Sequence, residues 1–235
     1  PSALVYLAHG FASTPERCFD GNYPDYMNAI GERLSRTGFA VWCPFLPHGG
    51  NNPSLTSLAA MLATRKISLL NILCSTLNLG YSIYSNTFSV GEQVKILQYG
   101  VSFGVSEALF LMVGRGKKWP TVLSNGIFAD MSESLSSDKF ANNAGRALIP
   151  FFMTNLGIYP FLFPQVLKKV FPAPLFFEFG LDITSGKEKE LINIFKEYYK
   201  KNGIEGNTID FDNFEGGHEA YGVNALNWLL KFSSN

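Results

Sequence analysis

The amino-acid sequence predicts an α/β fold, with a mostly parallel sheet of about six strands flanked by helices on both faces. Short apolar runs, each bounded by glycine, proline or polar turn residues, are typical of strands buried on both faces of a sheet. These runs alternate with segments whose apolar residues recur at helical spacing, an order that produces parallel sheets with right-handed crossovers. At 235 residues the chain can bury a full core, so we expect a single domain over residues 1–235.

In the N-terminal half, each predicted element has its own signal. Residues 3–8 are continuously apolar and end at a polar His-Gly pair, as expected of a buried strand. The helix that follows has apolar residues three and four positions apart, a proline in its first turn and a glycine at its end. The predicted elements are a strand at 3–8, a helix at 24–37, a strand at 39–43, a loop at 46–53, one helix or two within 54–79, a connection at 80–93, and a strand at 94–99.

In the C-terminal half, a helical pattern leaves the strand at 94–99 from Phe103 onward. Residues 131–172 break the alternation, because a polar half precedes a half rich in phenylalanine and proline. We therefore expect a lid or cap-like insertion at about 131–172. The other elements predicted here are a strand at 121–125, a strand at 174–180, a helix at 187–201, a strand at 208–211 and a helix at 219–232.

Composition argues against several classes of function. The 19 basic and 19 acidic residues give a net charge of zero, so nothing attracts the chain to nucleic acid or to an anionic membrane. Three cysteines without C-x-x-C spacing provide neither a disulfide framework nor a zinc site. Three scattered histidines lack the spacing of metal ligands, so we expect no metal and no other cofactor.

The most apolar stretch, residues 147–164, is interrupted by prolines and polar residues and falls short of a membrane span. No targeting segment is visible in the sequence. The chain begins at Pro1, without methionine and directly before a strand, so either a leader has been removed or the N-terminus is incomplete. Neither the compartment nor the oligomeric state follows from these residues.

Residues 100–104, Gly-Val-Ser-Phe-Gly, join a predicted strand to a predicted helix. A serine at the apex of such a turn has a cramped backbone, so the residues two before and two after it must be small, as Gly100 and Gly104 are. The turn would hold the Ser102 hydroxyl at the start of a helix, where N–H groups and the helix dipole favour negative charge. This run also occurs in ordinary tight turns, but its place between strand and helix favours a nucleophile.

A serine nucleophile needs a base to take its proton and an acid to orient that base. Ligands of a parallel sheet gather at the carboxyl ends of the strands, and His218 lies in a glycine-rich loop after the last predicted strand. We therefore predict His218 as the general base, the alternative being a surface histidine. We assign the acid to Asp182, after the strand at 174–180. The alternatives are a helix cap at Asp182 and Asp130 as the acid.

A negatively charged intermediate is stabilised by N–H groups aimed at the developing charge. Two such groups are available by position: the amide of Phe103, next to the serine, and the amide of Phe11, in the loop after the first strand. The phenylalanines of the insertion suggest an apolar cover, although plain core packing explains them as well. The residues expected at the substrate pocket are His9, Gly10, His48, Phe151 and Phe152.

The order of Ser102, Asp182 and His218, with His-Gly-Phe after the first strand and Gly-x-Ser-x-Gly after the third, resembles the α/β-hydrolase superfamily. The likeness spans nearly the whole chain. It implies Ser102 as nucleophile, His218 as base, Asp182 as acid, and the Phe11 and Phe103 amides as oxyanion hole. The layout is most similar to the small esterases and the dienelactone-hydrolase and acetyl-xylan-esterase-like group. Two departures from the superfamily pattern stand out: almost nothing precedes the strand that ends in His-Gly, so the sheet is trimmed or the chain incomplete, and the loop is His-Gly-Phe where one lipase and esterase branch has His-Gly-Gly-Gly. A dienelactone hydrolase would also have cysteine where Ser102 stands.

The function expected from these residues is a serine hydrolase that cleaves a carboxylic ester of a small or medium substrate through an acyl-enzyme intermediate. The partner would be a small-molecule ester. Peptidases and thioesterases use the same catalytic set, so they stay as alternatives. A small-molecule binding protein or receptor on a hydrolase scaffold is an alternative of another class, against which the intact set of three residues argues.

Overall fold

The structure is a computed structural model, and it describes residues 3–10, 13–45, 65, 69–88, 94–126, 168–182, 187–204 and 208–233. In these ranges six strands form one sheet, and every neighbouring pair is parallel. The strands are β1 Leu4–Ala8, β2 Ala40–Trp42, β3 Ile96–Val101, β4 Thr121–Ser124, β5 Leu175–Gly180 and β6 Ile209–Phe214. The predicted parallel sheet of about six strands is therefore confirmed.

The strand order is β2-β1-β3-β4-β5-β6. From β1 the chain moves outward to β2 at the sheet edge and then returns past β1 to β3 on the other side. This reversal is a topological switch point, where the loops that follow two adjacent strands diverge and leave a crevice. The register pairs Ala8 of β1 with Gly100 of β3, so the residues that come directly after these two lie at the same end of the sheet.

Helices cover both faces of the sheet, as predicted. Those described are α1 Pro15–Phe19, α2 Ile30–Arg36, α3 Leu69–Phe88, α4 Phe103–Arg115, α5 Lys187–Lys201 and α6 Val223–Leu230. On one face, α2 and α6 share a buried cluster with the strands, which includes Leu7, Ile30, Leu34, Tyr99, Val122 and Trp228. On the other face, α4 and α5 share a second cluster, which includes Leu109, Met112, Leu123, Phe177, Phe195 and Tyr199.

Helix α2 begins at Ile30, six residues later than the predicted helix at 24–37. The backbone of Asn28 and Ala29 is left-handed, with φ of 49° and 46°, so a right-handed helix cannot run through them. Contacts with the distant C-terminal part hold this turn: the Ala220 amide donates to the Tyr26 carbonyl oxygen, and Asn28 Nδ2 donates to the Ala220 carbonyl oxygen. Tertiary contacts therefore override a helical pattern at this point.

The predicted connection at 80–93 is wrong over residues 80–88, where α3 continues to Phe88. A Cβ on Gly80 would lie 2.5 Å from Cγ of Trp42, so the glycine allows the helix to approach β2 closely. Leu77 and Tyr84 are buried on the same side, while the serine and asparagine side chains of this segment face outward or lie at its edge. The glycine that suggested a break is a packing residue.

Several other predicted boundaries differ slightly from the structure. The helix predicted at 187–201 coincides with α5, whereas the helix predicted at 219–232 is shorter, since α6 starts at Val223. Residues 131–167 of the expected insertion lie outside the described residues. No helix in the described ranges combines the length and the apolar character that crossing a bilayer requires.

Candidate active site

Ser102 lies at the turn between β3 and α4 with a strained backbone. Its φ of 56° and ψ of −120° fall outside the regions that residues with a side chain normally adopt. Its amide donates to the Ser124 carbonyl oxygen at 2.8 Å, and the Val105 amide donates to the Ser102 carbonyl oxygen at 3.1 Å. Although Ser102 precedes the first residue of α4, its hydroxyl does not cap the helix. The fold thus fixes the backbone of this serine and leaves its side chain out of helix capping.

The two glycines of the Gly-x-Ser-x-Gly motif allow backbones to pass at close range. A Cβ on Gly100 would lie 2.5 Å from the Gly104 carbonyl oxygen. A Cβ on Gly104 would collide with the Ala8 carbonyl oxygen and lie 2.9 Å from that of His9. The first turn of α4 therefore rests directly on the end of β1, which brings the serine turn and the His-Gly turn together.

Gly10, the second residue after β1, lies beside Ser102. A Cβ built on Gly10 would be 2.8 Å from Cβ of Ser102, and it would also collide with Tyr26 Oη. His9 is fully buried, and a hydrogen bond of 3.1 Å joins its Nδ1 to the Gly10 carbonyl oxygen. A carbonyl oxygen only accepts, so Nδ1 carries the proton in this hydrogen bond. His9 accordingly shapes the turn that faces the serine.

His218 lies in the loop between β6 and α6, and its ring packs against the ring of Tyr26. The ring centroids are 5.5 Å apart and the planes are tilted by 44°. His218 is exposed at the surface, yet partial burial of its imidazole lowers the pKa of His218 below the ordinary histidine value. Since Tyr26 contacts both Gly10 and His218, it connects the histidine loop to the His-Gly turn beside Ser102.

Asn125, directly after β4, anchors the histidine loop to the sheet. Its Nδ2 donates to the Glu219 carbonyl oxygen at 2.6 Å, and its Oδ1 accepts the Gly180 amide at 2.9 Å. The backbone of Asn125 is left-handed, with φ of 47°, a conformation that asparagine tolerates better than most residues. One side chain thus joins the end of β5 to the residue that follows His218.

Glu178, fully buried in β5, binds the backbone of the same loop by hydrogen bonds. Its Oε1 accepts hydrogen bonds from Ser124 Oγ at 2.7 Å, Tyr99 Oη at 3.0 Å and the Tyr221 amide at 3.0 Å. Its Oε2 accepts the Gly222 amide at 2.6 Å. Burial raises the pKa of the Glu178 carboxyl, and these four hydrogen bonds act in the opposite direction. The carboxyl fixes the segment that leads from the histidine into α6.

Asp182, the predicted acid, has its backbone next to the histidine loop. Its amide donates to the Gly216 carbonyl oxygen at 3.0 Å, and a Cβ on Gly180 would collide with the Gly217 carbonyl oxygen. The Asp182 side chain is exposed. Among the residues that the structure describes, no hydrogen bond joins its carboxyl to the His218 ring. The structure therefore brings the two chain segments together, while the roles of the two side chains stay predictions.

The structure groups four of the predicted site residues, Ser102, Phe103, His9 and Gly10, at the carboxyl ends of β1 and β3. Other predicted residues lie outside the described ranges: Phe11, His48, Asp130, Phe151 and Phe152. Within the described ranges, no three histidine, cysteine, aspartate or glutamate side chains are grouped so that they could hold a metal ion.

Three residues at the site were not predicted from the sequence: Tyr26, Asn125 and Glu178. Glu178 left a signal, because a single carboxyl within the apolar run Leu175–Gly180 must have partners once it is buried. Asn125 is the last residue of the strand predicted at 121–125, at the carboxyl end to which the rule that singled out Asp182 directs attention. Tyr26 left none, since its contacts with Ala220 and His218 join positions almost 200 residues apart in the chain.

No protein-family model matches this sequence, and no curated protein does either. Solved structures do match. The chain is similar to the protein TT1662 from Thermus thermophilus, with a TM-score of 0.59 and 14% identity, over 100% of this chain and 90% of the other. It is similar to the esterase Pf2001 from Pyrococcus furiosus, with a TM-score of 0.56 and 15% identity, over 99% of this chain and 80% of the esterase.

A third similar structure is the acylaminoacyl peptidase from Pyrococcus horikoshii, with a TM-score of 0.60 and 13% identity. The match covers 98% of this chain and 36% of the peptidase, so this chain corresponds to about a third of that protein. At these identities the likeness establishes the fold. The chain has the α/β-hydrolase fold, as the resemblance noted in the sequence implied.

Proposed function

We propose that the chain is a serine hydrolase that cleaves a carboxylic ester of a small or medium-sized substrate through an acyl-enzyme intermediate. The observation that carries this proposal is the backbone of Ser102, with φ of 56° and ψ of −120°. A non-glycine residue in such a region costs about 1–3 kcal/mol, and strain of this kind is concentrated at active sites. An ordinary turn would avoid that cost with glycine.

In the proposed reaction, Ser102 Oγ attacks the carbonyl carbon of the ester while His218 accepts the serine proton. The carbonyl oxygen becomes an oxyanion, which the amides of Phe103 and Phe11 stabilise by hydrogen bonds. His218 then gives its proton to the departing alcohol oxygen as the C–O bond breaks, and the acyl group stays on Ser102. A water molecule, deprotonated by His218, then attacks the acyl carbon; as the bond from that carbon to Ser102 Oγ breaks, His218 returns the proton to Oγ, and the acid is released.

Asp182 has the part of the orienting acid in this proposal. Its amide is hydrogen-bonded to the carbonyl oxygen of Gly216, two residues before the histidine, so its side chain starts close to the histidine loop. A carboxylate there would hold the tautomer of the imidazole and stabilise the imidazolium. Catalytic hydrogen bonds are often long or absent before substrate binds, so an exposed Asp182 carboxyl is compatible with this part.

The similarity to an esterase supports ester cleavage, and the similarity to an acylaminoacyl peptidase favours peptide cleavage by the same residues as the second candidate. We propose that residues 1–235 form one hydrolase domain and that residues 131–172 form a lid over the pocket. Phe151 and Phe152 would give this lid an apolar inner face, and His48 would lie at the rim. Such a pocket suits an acyl or aryl group of modest size.

The test is covalent labelling of the purified protein with a fluorophosphonate, together with hydrolysis of p-nitrophenyl esters of increasing acyl length. We expect Ser102→Ala to abolish labelling and turnover. His218→Ala should lower turnover by at least about 100-fold, the usual contribution of a general base. Ser82→Ala, on the exposed outer side of α3, is the matched control and should behave as the wild type.

A wild type that neither reacts with the fluorophosphonate nor hydrolyses any ester would show that the proposal is wrong, and it would favour the binding-protein alternative. Acylated peptides belong in the same substrate panel. Serine-dependent cleavage of these peptides without ester hydrolysis would favour the peptidase.

A further inference from the structure

We propose that Tyr26 is a further catalytic residue, whose hydroxyl donates a hydrogen bond to the substrate carbonyl oxygen as that oxygen becomes negatively charged. This inference rests on the serine hydrolase reaction proposed above. It adds a side-chain donor to the two backbone amides expected from the sequence. Nothing in the spacing of the sequence motifs points to this residue.

The position of the hydroxyl is the first reason. A Cβ on Gly10 would collide with Tyr26 Oη and would lie 2.8 Å from Ser102 Cβ. The tyrosine hydroxyl and the serine side chain therefore border the same small space above Gly10. In the proposed reaction, the carbonyl carbon that Ser102 attacks lies next to this position, with its oxygen between the turn after β1 and the start of α4. The hydroxyl lies at the edge of the space in which the charge develops.

The way Tyr26 is held is the second reason. Its carbonyl oxygen accepts the Ala220 amide at 2.7 Å, and its ring packs against His218. Both contacts come from the loop that carries the proposed base, so this tyrosine is fixed relative to the base and to Gly10 at once. A donor that is already in place needs no rearrangement during the reaction, which is the condition under which hydrogen bonds to an oxyanion are most effective.

Asp25, the residue before Tyr26, holds the tyrosine segment to the residues that follow the His-Gly turn. Its Oδ1 accepts the Met27 amide at 2.8 Å and Ser13 Oγ at 3.2 Å, and its Oδ2 accepts Arg17 Nη1 at 3.1 Å. Ser13 and Arg17 belong to the stretch that follows the His-Gly turn. The tyrosine segment and the turn after β1 are therefore joined by side-chain hydrogen bonds, which keeps Oη close to Gly10.

The protonation state is compatible with a donor. Burial, and next to it the charge of Asp25, raise the pKa of the Tyr26 phenol above its ordinary value. The phenol consequently keeps its proton throughout the pH range in which a serine hydrolase with a histidine base operates.

The experiment compares Tyr26→Phe with Tyr23→Phe. Both variants lose one phenolic oxygen from the same segment, but Tyr23 is 50% exposed, and its ring lies beneath the Arg17 guanidinium, 4.9 Å from the ring centroid. Steady-state hydrolysis of a p-nitrophenyl ester gives kcat and KM, the rate of fluorophosphonate labelling gives the reactivity of the serine, and thermal unfolding shows that each variant is folded. The wild type and Ser102→Ala are run in parallel.

We expect Tyr26→Phe to lower kcat by on the order of 100-fold with little change in KM, because an oxyanion donor acts mainly in the transition state. Labelling should slow in parallel, since a phosphonyl oxygen occupies the same position as the oxyanion. The acid limb of the pH profile should stay where the wild type has it, because the ring that contacts His218 is kept. Tyr23→Phe should match the wild type in every readout.

An active wild type with an equally active Tyr26→Phe would overturn this inference and leave the proposed function intact. A rise in KM with an unchanged kcat would overturn it too, because the hydroxyl would then bind the ground state and the transition state equally well. A shifted acid limb in Tyr26→Phe would assign the hydroxyl to positioning the histidine instead. A wild type without turnover or labelling would overturn both proposals, and that outcome differs from the first because all variants would then be equally inert.

Discussion

The carboxylate of Glu178 accepts the backbone amide of Gly222 at 2.6 Å, and this hydrogen bond joins a buried strand to the start of the last helix. The residues between β6 and Gly222 include His218, the proposed base. The position of the base is therefore set from strand β5, by a carboxyl with no exposed surface. Removing either this buried carboxyl or one of its four donors leaves a buried polar group without its partner, which lowers the stability of the protein.

Glu178→Gln is expected to destabilise the protein and slow the reaction. The amide nitrogen of glutamine brings two donors into a site that already contains four, so at least one hydrogen bond is lost. We expect the free energy of unfolding to fall by about 1–3 kcal/mol and kcat to fall while KM changes little. Urea unfolding and ester hydrolysis check this. Glu215→Gln, an exposed carboxyl in the same loop, is the control. Equal behaviour of the two variants would contradict the anchoring role.

Ser102→Gly is expected to stabilise the protein while it removes activity. Glycine adopts the backbone conformation of residue 102 without strain, so the substitution removes part of a strain energy of about 1–3 kcal/mol. The larger entropy of glycine in the unfolded chain removes about 0.5–1 kcal/mol of that gain. We expect a net rise in the free energy of unfolding of about 1 kcal/mol for Ser102→Gly and almost none for Ser102→Ala. If urea unfolding finds the two variants equally stable, the strain at Ser102 is not released by glycine.

Gly104→Ala is expected to disrupt the contact between α4 and β1. The added Cβ would collide with a backbone carbonyl oxygen, that of Ala8, which cannot move without shifting the strand. We expect a loss of about 3 kcal/mol or more in the free energy of unfolding, at the upper end for overpacking. Gly21→Ala is the control, since its Cβ would have no neighbour closer than 3.5 Å and should change stability by less than about 0.5 kcal/mol. Similar melting temperatures for both variants would refute this account of the motif.

The acid limb of kcat/KM is expected below pH 6.5, the ordinary pKa of histidine. Burial against Tyr26 lowers the pKa of His218, so the imidazole stays neutral, and able to accept the serine proton, to a lower pH than an exposed histidine would. An acid midpoint above 6.5 would show that a carboxylate, such as the proposed partner Asp182, outweighs this burial in the active protein, and a profile without an acid limb would contradict the assignment of His218 as the base.

The same group predicts how stability changes with pH. Below pH 6.5 the unfolded chain binds a proton on His218 that the folded chain does not yet bind, so stability falls as the pH falls through this window. His218→Gln should flatten the dependence there. Urea midpoints measured between about pH 5 and 7 would show it.

The sequence predicted the sheet well because buried parallel strands leave continuous apolar runs, of which Leu175–Gly180 is an example with every residue buried. Helix α5 was predicted to the residue, since its charges, its apolar spacing and its Asn-Gly end all agree. The extension of α3 past Gly80 was missed because a glycine in a helix interior reads as a break when the aromatic ring that it contacts is unknown.

In the candidate site too, the residues defined by a local sequence pattern could be predicted, and those defined by distant contacts could not. Ser102 was found from sequence because its requirement for small neighbours is met within five consecutive residues. The partners of Glu178, which include Tyr99, Ser124 and Tyr221, are scattered over more than 100 positions. The contact between Tyr26 and His218 joins still more distant parts of the chain. No local pattern encodes such contacts, so only the folded arrangement reveals them.

The loop that carries His218 is hydrogen-bonded to three distant parts of the chain. Its partners are Tyr26 near the N-terminus, Asn125 after β4 and Glu178 in β5. All of these contacts are present together only when the segment around Tyr26 and the strands β4, β5 and β6 have assembled. Pairing of strands so distant in sequence is slow, and it comes late in folding. During refolding, catalytic activity should therefore return later than the helical circular-dichroism signal, and its return would mark the completion of folding.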